Sequence, residues 1–141
     1  MDLDGNHLEG IKASKEFPLH ATFYMKRSDV GAVLHTHSFY STLWSCLEHE
    51  DPKNVIPNYT PYLRMRLGTV GLVPYAKPGS KELFQDSDGY LLENHGPVVG
   101  DKDILSAFYA LEELEESARI AWELRNESRA RMIEEKMIGI E

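Results

Sequence analysis

Cysteine is almost missing from this chain. The single thiol, Cys46, excludes a disulfide within the chain and fits a reducing compartment, the cytoplasm. Long apolar runs are missing as well. None approaches the roughly 20 residues that span a bilayer, so no membrane is expected as a partner. Positive charge is scarce: 15 Lys and Arg stand against 23 Asp and Glu. A net charge of -8 provides no basic patch to displace phosphate counterions, which argues against nucleic acid as a partner. A small anionic substrate stays open, because a dication or a helix N-terminus can make a site locally positive. The acidic start Met1-Asp2-Leu3-Asp4 is unlike a secretory signal. No internal repeat and no low-complexity tract interrupts the chain.

What is present suits one domain over residues 1–141, with a charged tail over 125–141 that is expected to be helical, to fray or to serve assembly contacts. Residues 1 to 12 read as the remnant of a hairpin with a turn at Asp4-Gly5-Asn6. Ser14 caps an expected helix to about Lys26, with Phe17, His20, Phe23 and Tyr24 inside and Glu16 in its first turn. The apolar run Gly31-Ala32-Val33-Leu34 predicts a strand into His35 and His37. A helix follows from Ser38, with Phe39, Tyr40, Leu43, Trp44 and Leu47 as its apolar positions. Cys46 falls in this stretch and reads as an inert core thiol. Residues 51 to 63 form a loop rich in proline and tyrosine. Strands are expected over Val70 to Tyr75, closing at Pro78-Gly79, and over 90–93 and 97–99. A long helix begins near Asp101 or Asp103, with Ile104, Ala107, Phe108, Leu111, Leu114, Ala118, Ala121 and Trp122 at helical period. The run Glu112, Glu113, Glu115, Glu116 reads as a solvated helix face.

The chemistry lies in the histidines. In a strand, residues i and i+2 point to the same face. His35 and His37 therefore lean together, close enough to share one ion at about 2.0 to 2.1 Å from each ring. A lone histidine at a strand end is ordinarily just hydrogen-bonded. A third, His95, also follows an apolar run, Tyr90-Leu91-Leu92, and precedes the turn signal Gly96-Pro97. Three neutral imidazoles leave a dication its charge and an open position, the condition for Lewis-acid catalysis. His7, His20 and His49 lack such a setting.

These pieces resemble the class II aldolase/adducin family. The matching segments are Ala13-Ser14-Lys15-Glu16 with Pro18-Leu19-His20, then Asp29-Val30-Gly31-Ala32-Val33-Leu34-His35-Thr36-His37-Ser38, then Leu91-Leu92-Glu93-Asn94-His95-Gly96 before the long helix. Ile56-Pro57-Asn58-Tyr59-Thr60-Pro61-Tyr62, Val73-Pro74-Tyr75, Pro78-Gly79 and Glu112-Glu113-Leu114-Glu115-Glu116 look like the branch of 3-oxo-tetronate 4-phosphate decarboxylases. The resemblance implies an α/β fold: three α/β/α layers around a central, mainly antiparallel sheet. It implies Zn²⁺ or a similar dication on His35, His37 and His95, and Glu16 as the acid/base. It also implies Tyr62 as a proton donor reaching a neighbouring subunit's site, Ser14 and Lys15 as phosphate-binding residues, and a homotetramer. Without the resemblance, Glu16 is a helix first-turn carboxylate, Tyr62 a loop aromatic at an interface and Ser14 an N-cap.

The implied activity is decarboxylation of a 3-oxo-tetronate 4-phosphate through a metal-bound enediolate, giving dihydroxyacetone phosphate. A sugar-phosphate aldolase of the fuculose or rhamnulose type and a ribulose-phosphate 4-epimerase use related intermediates. A non-catalytic, adducin-like assembly module or an inactive fragment is the contrasting expectation. Relatives carry a segment before the equivalent of Asp4, with sheet strands and a phosphate loop, and a helical stretch between the equivalents of Gly79 and Tyr90. The chain is expected to be N-terminally shortened and its phosphate subsite incomplete.

Overall fold

In the computed structural model of the protein, residues 1–74, 87 and 89–139 are described. The elements run α1 (Phe17–Lys26), β1 (Ala32–His35), α2 (Phe39–Ser45), α3 (Tyr62–Arg66), β2 (Val70–Val73), β3 (Gly89–Leu92), β4 (Gly96–Asp101) and α4 (Ile104–Leu124), then a 3₁₀ turn at Glu135–Met137. The strands form one sheet in the order β1-β4-β3-β2. β1 pairs antiparallel with β4, and β4 with β3, while β3 and β2 run parallel.

Period-2 alternation sorts the side chains to two faces. Val33, Val73, Tyr90 and Val98 share one face, where Phe23 of α1 joins them. Val70, Leu91 and Val99 share the other with Ala110, Leu111, Leu114 and Ala118 of α4, and Leu34 packs there too. The layering is therefore helix, sheet, helix, as the resemblance implies. α1 has ten residues and no capping side-chain hydrogen bond, so it is too short to persist alone. Phe23, wholly buried, holds it to the sheet, a burial that contributes roughly 1.5–3 kcal/mol. No helix among the described residues is long and apolar enough to cross a membrane.

Several local expectations are corrected. α1 is capped at Glu16 rather than Ser14. A helix capped at Ser14 would place Pro18 where an N–H is needed, whereas the later start puts it in the first turn, where none is. Ser14 instead closes the preceding turn: its hydroxyl accepts from the Glu16 N–H and its carbonyl from Phe17. Residues 1–12 form no hairpin strand, because the Asp2 carboxylate takes the N–H groups of Asp4 and Asn6. The loop after residue 51 contains α3, which is too short for a readable period. Cys46 is exposed at the C-terminal end of α2, since Ser41 and Ser45 form the buried side of that helix. Ile104 and Phe108 are exposed while the smaller Ala107 and Ala110 turn inward. The tail after α4 folds back: Ile133 N–H donates to the Asn58 carbonyl at 2.7 Å, and Arg64 pairs with Glu135. Tyr75, Pro78 and Gly79 lie outside the described residues.

The largest correction is Glu115. It is half-buried rather than solvated, and its carboxylate accepts from the Tyr40 N–H (2.7 Å), the Ser41 N–H (3.0 Å) and the Ser41 hydroxyl (2.7 Å). Burial alone would push its pKa up, but these donors, with Ser38, outweigh burial and hold it below the ordinary value. A lowered carboxylate pKa adds stability that is fully present above the unfolded value of about 4.3 and is lost as pH falls through the folded one. In urea unfolding at pH 7, Glu115→Gln is expected to be less stable than the parent chain, and the gap should shrink below about pH 4. A gap that stays constant down to pH 3 would contradict this ionisation.

Candidate metal centre

The site forms where β1 ends beside the β3–β4 turn. His35 is registered opposite Val98, and the Thr36 N–H continues the pairing onto the Pro97 carbonyl. That register brings the turn before β4, which carries residue 95, beside the segment just after β1 that carries residue 37. The turn itself is tightly specified. Asn94 adopts φ 55°, a left-handed conformation that asparagine tolerates. Gly96 has φ +154°, and a Cβ there would lie 2.5 Å from the Thr36 carbonyl oxygen. Glycine at this position lets the turn close onto the histidine segment.

His35 shares the sheet face of Val33, the face that α1 covers. Glu16, the N-cap of α1, therefore meets it. The Nε2 atoms of His35 and His95 are 3.2 Å apart, and those of His95 and His37 3.0 Å. Glu16 Oε1 lies 3.0 Å from His95 Nε2 and 4.0 Å from His37 Nε2, while its Oε2 lies 3.4 Å from His35 Nε2. All four donor atoms fall within 4.8 Å of one another. Two imidazole nitrogens on one tetrahedral zinc, each at about 2.0–2.1 Å, stand about 3.3 Å apart. The donor set and its spacing fit a divalent cation.

Tautomers support the same fit. His35 Nδ1 lies 2.8 Å from the Pro97 carbonyl oxygen. A carbonyl only accepts, so Nδ1 carries the proton and Nε2 presents its lone pair. Burial pushes the His35 pKa below its ordinary value, against the Pro97 hydrogen bond and the Glu16 charge, which raise it. A neutral ring is the ligand form. The His35 side chain is 2 % exposed and that of His37 64 %, so the site opens to solvent on the His37 side.

The four side chains singled out for metal and proton chemistry are thus brought together. The other candidates are not part of this donor set. Ser14 and Lys15 are exposed in the turn before Glu16. Tyr62 opens α3, is exposed, and lines a groove with Arg66, Tyr109 and Glu112 rather than the histidine cluster. His49 packs on Trp44. Sequence reasoning missed Thr42, whose hydroxyl donates to the His95 carbonyl at 3.3 Å, and Glu115. A signal for Glu115 exists: it lies on the helical stripe of Leu111, Leu114 and Ala118, a carboxylate inside an apolar face.

Comparison with known proteins adds to this geometry. The family model described as Class II Aldolase and Adducin N-terminal domain matches residues 1–122. The chain is 40% identical over 134 residues to a Haemophilus influenzae protein named 3-oxo-tetronate 4-phosphate decarboxylase, covering 90% of this chain and 64% of that one. It is 39% identical over 125 residues to a Methanocaldococcus jannaschii protein named L-fuculose phosphate aldolase, covering 85% of this chain and 66% of the other. The crystal structure of YgbL from Klebsiella pneumoniae superposes with a TM-score of 0.89 at 37% identity, over 97% of this chain and 69% of that one. The chain thus spans less than two thirds of the length of these two sequence relatives.

Proposed function

The chain belongs to the class II aldolase and adducin family, and from that membership we propose that it is a metal-dependent lyase acting on a small phosphorylated sugar acid. The substrate class is a 3-oxo-tetronate 4-phosphate, and the products are carbon dioxide and dihydroxyacetone phosphate. The observation that carries this reading is the meeting of the Glu16 carboxylate with three imidazole Nε2 atoms.

His35, His37 and His95 hold the dication, with zinc favoured by a three-imidazole set although such sites also take other first-row ions. A dication so held supplies Lewis-acid stabilisation of negative charge developing beside a ketone. Glu16 handles the proton. When the bond from C1 to C2 breaks, carbon dioxide leaves and the electron pair stays with C2. The Glu16 carboxyl passes a proton to C2 and is replenished from water. Its place at the N-cap, against the same face as His35, holds its carboxylate beside the three imidazoles, which supports this role. Ser14 and Lys15, next to Glu16 in the chain, take the phosphate, and Tyr62 donates a proton into a neighbouring subunit of a homotetramer. The compartment is the cytoplasm.

A second reading is retro-aldol cleavage of a sugar phosphate, favoured by the identity to the archaeal aldolase. Both reactions leave the same carbanion equivalent, so one experiment tests both and a second separates them. In deuterium oxide the zinc-loaded chain is expected to exchange a carbon-bound proton of dihydroxyacetone phosphate, and a chelator to stop the exchange. No exchange by zinc-loaded protein would sink both readings. Release of carbon dioxide from the keto acid phosphate then selects the decarboxylase, and release of an aldehyde from a ketose phosphate selects the aldolase.

A further inference from the structure

The turn that carries His95 is not held by its own strands alone. The Asn94 N–H donates to the Ser45 carbonyl at 3.2 Å, and the Thr42 hydroxyl donates to the His95 carbonyl at 3.3 Å. Both partners belong to α2. The approach is close: a Cβ on Gly96 would lie 3.3 Å from the Thr42 hydroxyl oxygen. Yet α2 has only seven residues, and its N-cap, Ser38, makes no side-chain capping bond. A helix this short does not fix its own position.

Glu115 of α4 does so. Its carboxylate accepts from two N–H groups of the first turn of α2 and from the Ser41 hydroxyl. Charge-assisted bonds of this kind are about twice as strong as neutral ones, and a carboxylate is favoured at a helix N-terminus. Ser41 is wholly buried and its hydroxyl bonds across to Glu115, so α2 cannot slide along α4 without leaving that group unpaired.

We infer that Glu115 is a positioning residue for His95. It fixes the start of α2, α2 fixes the β3–β4 turn through Thr42 and Ser45, and the turn sets His95 Nε2 against those of His35 and His37. Glu115 is not one of the four donor residues; its carboxylate hydrogen-bonds to α2. The inference rests on the metal reading only for its effect on zinc binding, since the placement of His95 belongs to the metal-free chain.

The test compares Glu115→Gln, Thr42→Val, the double variant and Asp103→Ala. Asp103 caps α4 by accepting from the Ser106 N–H, so its loss destabilises α4 without acting on α2. In metal-free protein, NMR reads the His95 ring signals and the hydrogen exchange of the Asn94 amide, alongside Tm. Glu115→Gln and Thr42→Val are expected to shift or broaden the His95 ring signals and to speed Asn94 exchange by up to about tenfold, the scale of one hydrogen bond. Asp103→Ala should lower Tm and leave both signals in place. Zinc affinity should fall about 10- to 100-fold in each of the first two variants, as for other residues that orient ligands. The double variant should fall little further, because both residues act through one chain of contacts. Thr42→Ser should restore the parent values.

If Glu115→Gln moves the His95 signals no more than Asp103→Ala does, the inference is overturned. Additive losses in the double variant would overturn it too. Should Glu115→Gln fail to fold, Thr42→Val decides: an unmoved His95 ring breaks the proposed link. A parent chain that binds no zinc would refute the metal reading, while the metal-free signals still decide the role of Glu115.

Discussion

Glu16→Gln is expected to lower turnover by about 10²- to 10⁴-fold, the range for removing a general acid or base, while zinc still binds. Glutamine keeps the length and one carbonyl oxygen of the side chain but has no transferable carboxyl proton. The three imidazoles are untouched, and His35 keeps its tautomer through the Pro97 carbonyl. Loss of turnover with retained zinc would separate proton transfer from metal binding. The exchange of dihydroxyacetone phosphate protons into deuterium oxide should fall in parallel, because it uses the same proton transfer. Undiminished exchange would remove Glu16 from its assigned role. Loss of zinc together with turnover would make Glu16 a metal ligand first.

Gly96→Ala is expected to damage both the fold and the site. Its Cβ would lie 2.5 Å from a backbone oxygen, that of Thr36, and the φ of +154° disfavours any side chain. A backbone atom cannot swing aside as a side chain can, so β1 and the β3–β4 turn must separate. The strain scale for such backbone positions is about 1–3 kcal/mol, read as a drop in Tm. The separation also pulls His95 from the pair at the end of β1, so zinc affinity should fall more than ten-fold, on the scale of disturbed ligand support. A variant with parent Tm and parent zinc affinity would contradict the close approach of Thr36 and Gly96.

The contrast between these residues and those that sequence reasoning misses has a physical cause. His35 and His37 are legible as a pair because a strand has a fixed period, and β1 has the apolar residues that mark one. His95 is legible as a candidate from its turn, but only the antiparallel pairing of β1 with β4 brings it beside the pair. Spacing along the chain does not contain that register; the family resemblance does. The layers follow from alternation of residues such as Val33 and Leu34, or Val98 and Val99, which need a covering element on each side of the sheet. Glu115 is harder. A run of four glutamates within five residues looks solvated, and which of them turns inward depends on α2 packing against α4. The start of α1 turns on the hydrogen bond that Pro18 cannot make, a detail that outweighs the preference of serine for the cap. α3 is invisible because five residues do not complete a readable period.

Convergence of the three imidazoles on one dication is tested most directly by titrating the metal-free chain with zinc while NMR follows all six histidine rings. Saturation at one equivalent is expected, with the ring signals of His35, His37 and His95 moving together and those of His7, His20 and His49 unmoved. Absence of binding, or binding that moves His49 or His20 in place of His95, would contradict it.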